Sequence, residues 1–181
     1  MEQKIKEIFT KEKVKSFFLS LIKSPLFYIT LFAIVVDIVS KWCVQLNLHE
    51  HDRVTIIPGF IDVYLIHNTG GIFGLGSDNE GARIVLIIVR AILAVIIPVV
   101  YLLKGKELKK RYKVCIMLIY AGCIGNLIDG LFYYDGITGF TGVIDWIQFS
   151  FFDPVFNLAD SYVIVCVILI VFFMIVDEIN D

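Results

Sequence analysis

Several familiar catalytic signatures are missing from this sequence. It contains no H-E-x-x-H motif, which argues against a zinc hydrolase, and no G-x-S-x-G motif, which argues against a serine hydrolase. The His49-Glu50-His51 run is better explained as a solvated loop than as a metal site. Four cysteines lack the spacing of metal ligands and are predicted to be small apolar core residues: Cys43, Cys115, Cys123 and Cys166.

Positive charge is missing from two long stretches of the chain. The connection 48–80 contains only Arg53, and the connection 135–158 contains no lysine or arginine. Sixteen basic residues nearly balance eighteen acidic ones, which argues against a nucleic-acid partner. Because cytoplasmic loops carry the excess of lysine and arginine, we expect two basic clusters and both termini in the cytoplasm, with both connections outside. The clusters are Lys4, Lys6, Lys11, Lys13, Lys15 and Lys23, and Lys104, Lys106, Lys109, Lys110, Arg111 and Lys113.

Apolar residues dominate what is present. They make up 58% of the 181 residues, and the mean hydropathy is +0.82, whereas soluble domains are about 45–50% apolar. A helix needs about 20 apolar residues to cross a bilayer. The sequence therefore predicts a mainly α integral membrane protein without internal repeats. Its four predicted transmembrane helices cover residues 26–46, 83–103, 114–134 and 159–177.

The remaining segments complete the predicted organisation. Residues 1–24 mix lysines with apolar residues and predict a helix lying on the cytoplasmic leaflet. Residues 25–181 form one four-span domain with an inner loop at 104–113. In the outer connections, the runs 54–57 and 60–66 flank Pro58-Gly59 and predict two strands, and a third strand is expected near 144–149. We expect a small extracytoplasmic antiparallel β-sheet.

Two carboxylates are expected at one edge of the membrane. Asp145 ends the run Gly-Val-Ile-Asp, and Asp160 ends the run Phe-Asn-Leu-Ala-Asp. Neither has a lysine or arginine beside it in the sequence, so a charge there is costly. Two close carboxylates would tend to share one proton, which is what an aspartic protease requires. Alone, Asp160 could equally be a helix N-terminal cap.

Other polar residues recur at helical spacing. Asn126 and Asp129 lie three residues apart, and Asn157 and Asp160 repeat that spacing. Asp37 and Lys41 lie one turn apart within the first span, where a charge needs a partner; we favour a structural clamp over substrate contact. Asn68 precedes glycines that include Gly70, which suits an ordinary turn, although its amide could also hold an extended peptide.

The ordered set of motifs resembles the lipoprotein signal peptidase (signal peptidase II) family. Five boxes over residues 37–160 carry the resemblance: Asp37-Ile38-Val39-Ser40-Lys41, Asn68-Thr69-Gly70-Gly71-Ile72-Phe73, Gly122-Cys123-Ile124-Gly125-Asn126-Leu127-Ile128-Asp129, Gly142-Val143-Ile144-Asp145-Trp146 and Pro154-Val155-Phe156-Asn157-Leu158-Ala159-Asp160. Each box alone is a weak signal, but their order on a four-span chain is highly specific.

The resemblance implies an aspartic endopeptidase of the bacterial cytoplasmic membrane, with its active site at the outer leaflet. It would cut a diacylglyceryl-modified prolipoprotein just before the lipidated cysteine, without a metal or organic cofactor. The implied partners are membrane lipids and peptide inhibitors such as globomycin, and the implied oligomeric state is a monomer. Asp145 and Asp160 would be the catalytic pair. The implied supporting residues are Asp37, Lys41, Asn68, Gly70, Asn126, Asp129 and Asn157.

One departure from the family pattern concerns positive charge. The family usually has an arginine after N-L-I-D, where this chain has Gly130. Arg90, in the second span, is the candidate replacement, although an arginine at that depth could simply extend its side chain toward the membrane surface.

A rival interpretation from another class is a non-enzymatic membrane protein, either a small proton-coupled transporter or a substrate-binding pseudo-enzyme. Asp37, Lys41 and Asp129 could serve a proton path. The lack of a repeat between the two halves, and the clustering of polar residues at one membrane face, argue against transport.

Overall fold

Five helices and four strands make up the described part of the chain. The structure is a computed structural model that describes residues 10–70, 80–133 and 141–180. In chain order its elements are α1 (Lys11–Ile22), α2 (Pro25–Asn47), β1 (Arg53–Ile57), β2 (Ile61–Asn68), α3 (Glu80–Lys104), α4 (Lys110–Phe132), β3 (Val143–Phe149), β4 (Phe152–Phe156) and α5 (Leu158–Asn180). Helices α2 to α5 are long and apolar enough to cross a membrane, which confirms the prediction of four spans.

A short break separates α1 from the first spanning helix. Ser24 has an extended backbone, and its hydroxyl accepts a hydrogen bond from the backbone N–H of Leu26. Pro25 occupies the first helical turn, where its missing N–H costs nothing. A new helix therefore begins at Pro25, and the preceding segment is free to take a different direction.

Helix α4 is the central helix of the bundle. It packs against α2, α3 and α5, whereas α3 and α5 expose much apolar surface. Small residues on α4 allow the neighbouring backbone to come close. A Cβ atom on Gly122 would clash with the backbone oxygen of Ala159, so only glycine permits this contact with the start of α5.

The four strands form one antiparallel sheet in the order β1-β2-β3-β4. Strand β3 is the most buried of them. Leu65 and Ile144 pack with Tyr133, which follows α4, and with Val44 near the end of α2. This apolar contact fixes the sheet on one end of the helix bundle, and it brings the start of β3 to the ends of α2 and α4.

The structure refines the predicted strands. Strand β2 begins at Ile61 rather than at residue 60, because Phe60 belongs to the turn, and it continues to Asn68. Strand β3 matches the third predicted strand, whereas β4 was not predicted. Residues 71–73 of the glycine-rich box lie outside the described residues.

Candidate active site

Asp145 is held on both of its carboxylate oxygens. It lies on β3 and is 1% exposed. The side-chain amide of Asn157 donates to Oδ1 at 2.6 Å, and that of Asn68 donates to Oδ2 at 2.8 Å. Because β2 pairs with β3, Asn68 at the end of β2 comes beside Asp145. The two asparagines orient the carboxyl group while leaving its protonation state free to change.

Asp160 lies in the first turn of α5 and faces α4. The side-chain amide of Asn126 donates to its Oδ1 at 2.7 Å. The N-terminal cap is a different residue, since Oδ1 of Asn157 accepts the backbone N–H of Asp160 at 2.9 Å. The Asp160 carboxylate is therefore available for the site instead of being used as a cap. Asn157 therefore contacts both aspartates: its amide NH2 group donates to the Asp145 carboxylate, and its amide oxygen accepts the backbone N–H of Asp160.

The two aspartates interact electrostatically. Burial, and then the negative charge of Asp160, raise the pKa of Asp145 to about 8, well above that of an exposed aspartate. Hydrogen bonds from Asn68 and Asn157 and the positive charge of Lys41 oppose this rise but do not cancel it. At neutral pH the Asp145 carboxyl group therefore holds a proton, so the two aspartates together can act as an acid and a base.

Lys41 is the centre of a buried polar cluster beside this pair. Its Nζ lies 2.7 Å from Oδ2 of Asp37 and 2.9 Å from Oδ2 of Asp129, and it donates to Oδ1 of Asn126 at 3.0 Å. Asn126 in turn donates to Asp160. The Lys41 ammonium group thus joins α2 to α4. Through the hydrogen bonds of Asn126 it is also connected to Asp160 on α5.

The two acidic partners of Lys41 also hold the backbone next to the aspartate pair. Oδ1 of Asp37 accepts the N–H of Ala159 at 2.9 Å, and Oδ2 of Asp129 accepts the N–H of Ile144 at 3.3 Å. Ala159 and Ile144 immediately precede Asp160 and Asp145 in the chain. This geometry favours the clamp interpretation of Asp37 and Lys41.

A narrow cleft lies between α3, α4 and the sheet. Its lining includes Asn68, Gly70, Arg83, Arg90 and Gly130. Gly70 is buried, and its backbone N–H donates to Oδ1 of Asn68 at 2.9 Å. The structure thus brings every candidate site residue named from the sequence to one end of the bundle. The sequence did not single out Arg83, although its spacing of seven residues from Arg90 places both on one helix face.

Known families provide an independent comparison. A family model described as signal peptidase (SPase) II matches residues 29–176. The chain belongs to the signal peptidase II family. A lipoprotein signal peptidase from Neisseria meningitidis serogroup C is 32% identical over 152 residues, covering 82% of this chain and 88% of that protein. One from Symbiobacterium thermophilum is 33% identical over 136 residues, covering 74% and 82%.

Two solved structures of bacterial membrane enzymes have a similar fold. A bacterial membrane enzyme determined by the in meso method at 2.3 Å resolution superposes with a TM-score of 0.73. It is 28% identical, and the match covers 86% of this chain and 90% of that one. A second bacterial membrane enzyme, solved at 1.9 Å, gives a TM-score of 0.69 at 27% identity. Family membership and four helices long enough to cross a membrane make the chain a multi-pass bacterial membrane peptidase.

Proposed function

We propose that this signal peptidase is an aspartic endopeptidase in which Asp145 and Asp160 carry the reaction. The observation behind the proposal is the pair itself: asparagine amides hold each carboxyl group, Asp145 is buried, and the charge of Asp160 helps to keep a proton on Asp145. Such a pair presents one general acid and one general base to the same substrate.

The proposed chemistry moves protons between the pair, a water molecule and the scissile peptide. The ionised carboxylate takes a proton from water as the water oxygen bonds to the scissile carbonyl carbon. The protonated carboxyl supplies a proton to the reacting amide, and the C–N bond then breaks with the nitrogen leaving as an amine. Asn68, Asn126 and Asn157 hold the two carboxyl groups in place during these transfers.

The proposed substrate is a prolipoprotein whose cysteine already carries diacylglycerol, and the proposed cut lies just before that cysteine. Two features support it: the relatives are named lipoprotein signal peptidases, and the site lies at one end of a bundle of spanning helices. A lipid-anchored peptide would present its scissile bond near that level of the membrane.

The basic clusters support the proposed orientation. Both termini and the loop 104–113 would be cytoplasmic, and the sheet and active site would lie at the outer leaflet of the bacterial cytoplasmic membrane. We expect a monomer that is inhibited by globomycin, and an α1 helix that rests on the cytoplasmic leaflet.

Cleavage by the purified protein tests this proposal. The substrate is a prolipoprotein carrying diacylglycerol on its cysteine, and the control is the same polypeptide without lipid. Mass spectrometry should find one cut, immediately before the lipidated cysteine, with the unmodified control intact and with EDTA causing no loss. Cleavage at another bond, equal cleavage of the control, or no cleavage at all would contradict it.

A further inference from the structure

Arg90 faces the interior of the protein rather than the lipid. Helix α3 presents Arg83, Leu86, Ile87 and Arg90 on one half-buried stripe at spacings of three and four residues. The residues between them on the other side are exposed and apolar: Ile84, Val85, Ile88 and Val89. The stripe packs toward α4, where the Cys123 thiol donates to the backbone oxygen of Arg90 at 3.2 Å.

The Arg90 guanidinium lies beside Gly130 of α4. A Cβ atom built on Gly130 would lie 3.8 Å from Nη1 of Arg90 and 3.1 Å from Cγ1 of Ile87. A side chain at position 130 would therefore enter the space beside the guanidinium. The glycine leaves room for a cation that comes from the neighbouring helix.

This position connects Arg90 to the active site. Arg90 and Gly130 line the same cleft as Asn68, which holds Asp145. Arg90 is also close enough to Asp160 to interact with it electrostatically. Ten residues separate Arg90 from Glu80 at the sheet end of α3, which is about 15 Å along a helix. A cation at that depth is costly unless a polar group meets it.

We infer that Arg90 is a substrate-positioning residue, whose guanidinium donates hydrogen bonds to a carbonyl oxygen of the lipidated substrate. This inference rests on the proposed function. A guanidinium suits the task because its planar fork of N–H groups matches an oxygen acceptor and never loses its charge. The acceptor is either a peptide carbonyl near the scissile bond or an ester carbonyl of the diacylglyceryl group.

Kinetics of three variants test the inference. Arg90→Ala should raise KM and lower kcat/KM by about 10-fold to 100-fold, the range for losing a charged hydrogen bond, with a smaller change in kcat. Arg90→Lys keeps the charge without the fork and should show an intermediate KM. The double variant Arg90→Ala with Gly130→Arg should recover part of kcat/KM, since a cation from position 130 enters the same space. Ile92→Ala, on the exposed side of α3, is the control and should behave as the parent.

Two substrates separate the possible acceptors. If the acceptor is a peptide carbonyl, Arg90→Ala should be equally impaired on ester-linked and ether-linked lipid substrates. If it is an ester carbonyl, the loss should vanish with the ether-linked substrate. Either result supports a role in substrate positioning.

The alternative is an arginine that only extends to the membrane surface. In that case Arg90→Lys would match the parent, because lysine extends equally well, and Arg90→Ala would keep its kcat/KM. If the parent is active, that outcome would overturn the inference about Arg90 and leave the proposed function standing. An inactive parent would instead overturn the proposed function. If Arg90→Ala fails to fold, a parental KM for Arg90→Lys would still reject the inference.

Discussion

Lys41 shows how a single residue organises the site. One ammonium group contacts Asp37, Asp129 and Asn126, and the two carboxylates hold the backbone just before the catalytic candidates. A buried charge that loses its partner has neither water nor an opposite charge to stabilise it. The stability of the clamp and the geometry of the aspartate pair should therefore be linked through this one side chain.

Replacing Lys41 by methionine should destabilise the protein. Lys41→Met leaves two carboxylates without their shared cation in a buried cluster, and breaking such an interaction typically costs about 3–5 kcal/mol. Thermal unfolding in detergent should shift to clearly lower temperature. The matched control is Lys104→Met, whose exposed pair with Glu107 should contribute about 0–1 kcal/mol. Unchanged unfolding with lost activity would instead indicate direct substrate contact.

The pKa of Asp145 gives a second prediction at this scale. Because the active pair needs one proton, activity should fall as pH rises through about 8, the raised pKa of Asp145. The same shift makes Asp145 contribute stability that is present below its ordinary pKa near 3.8 and is lost as pH rises to about 8.

Asn68 should set the position of this alkaline limit. Its hydrogen bond lowers the pKa of Asp145, so Asn68→Ala should raise that pKa further and move the alkaline fall in kcat/KM to higher pH. Asn47→Ala removes an exposed amide at the end of α2 and should leave the profile unchanged. A shift to lower pH would contradict the assignment.

At the scale of elements, close approach of α2, α4 and α5 depends on glycine. A Cβ atom on Gly125 would lie 2.5 Å from Oδ2 of Asp37, so the side chain or the helix would have to move. The clamp therefore requires a glycine on α4 as well as the charged groups themselves.

Adding a methyl group at this point should be costly. Gly125→Ala should lower the free energy of unfolding by about 1–3 kcal/mol, as overpacking does, and should reduce activity by displacing Asp37 from the N–H of Ala159. The control adds a similar group on an exposed face of α2: Val39→Ile should leave both properties near the parent. Parental stability for Gly125→Ala would show that α4 can shift without loss.

Prediction from sequence succeeded best for the elements made of long or uninterrupted apolar runs. The four spans were predicted from length and hydropathy, and β1 to β3 from short apolar runs, two of them beside the turn residues Pro58 and Gly59. Strand β4 was missed because Pro154 removes a backbone donor, which argues against a strand unless it lies at an edge. β4 is such an edge strand.

The site was only partly predictable for a different reason. The repeated Asn-x-x-Asp spacing correctly indicated that Asn126 and Asp129 share a helix face. Spacing within one helix says nothing about distances between helices, so the sequence could not show that Lys41 reaches Asp129 or that Asn157 joins the two aspartates.

At the scale of the whole molecule, the charge distribution and the fold favour the same orientation of the protein in the membrane. The connections poor in lysine and arginine contain the sheet, and the sheet covers the end of the bundle that holds Asp145 and Asp160. At the other end, Asp177 of α5 forms ion pairs with Lys109, which immediately precedes α4, and with Arg111 in the first turn of α4. The positive-inside rule would place these ion pairs in the cytoplasm and the aspartate pair outside.

Thiol labelling tests this orientation. Two single cysteines are introduced on a background without Cys43, Cys115, Cys123 and Cys166: Glu107→Cys in the inner loop and Thr55→Cys in β1, both exposed positions. An impermeant reagent should label position 55 in intact cells and position 107 only after the membrane is opened. Labelling of position 107 from outside would contradict the orientation.

The most direct test of the account is turnover by variants of the aspartate pair. Asp145→Asn and Asp160→Asn each preserve shape but remove proton exchange, so neither purified variant should cleave a diacylglyceryl-modified prolipoprotein. Both should stay inserted and folded, with a cooperative unfolding transition in detergent, because neither substitution changes the size of the side chain. Near-parental turnover by either variant would contradict the aspartic mechanism.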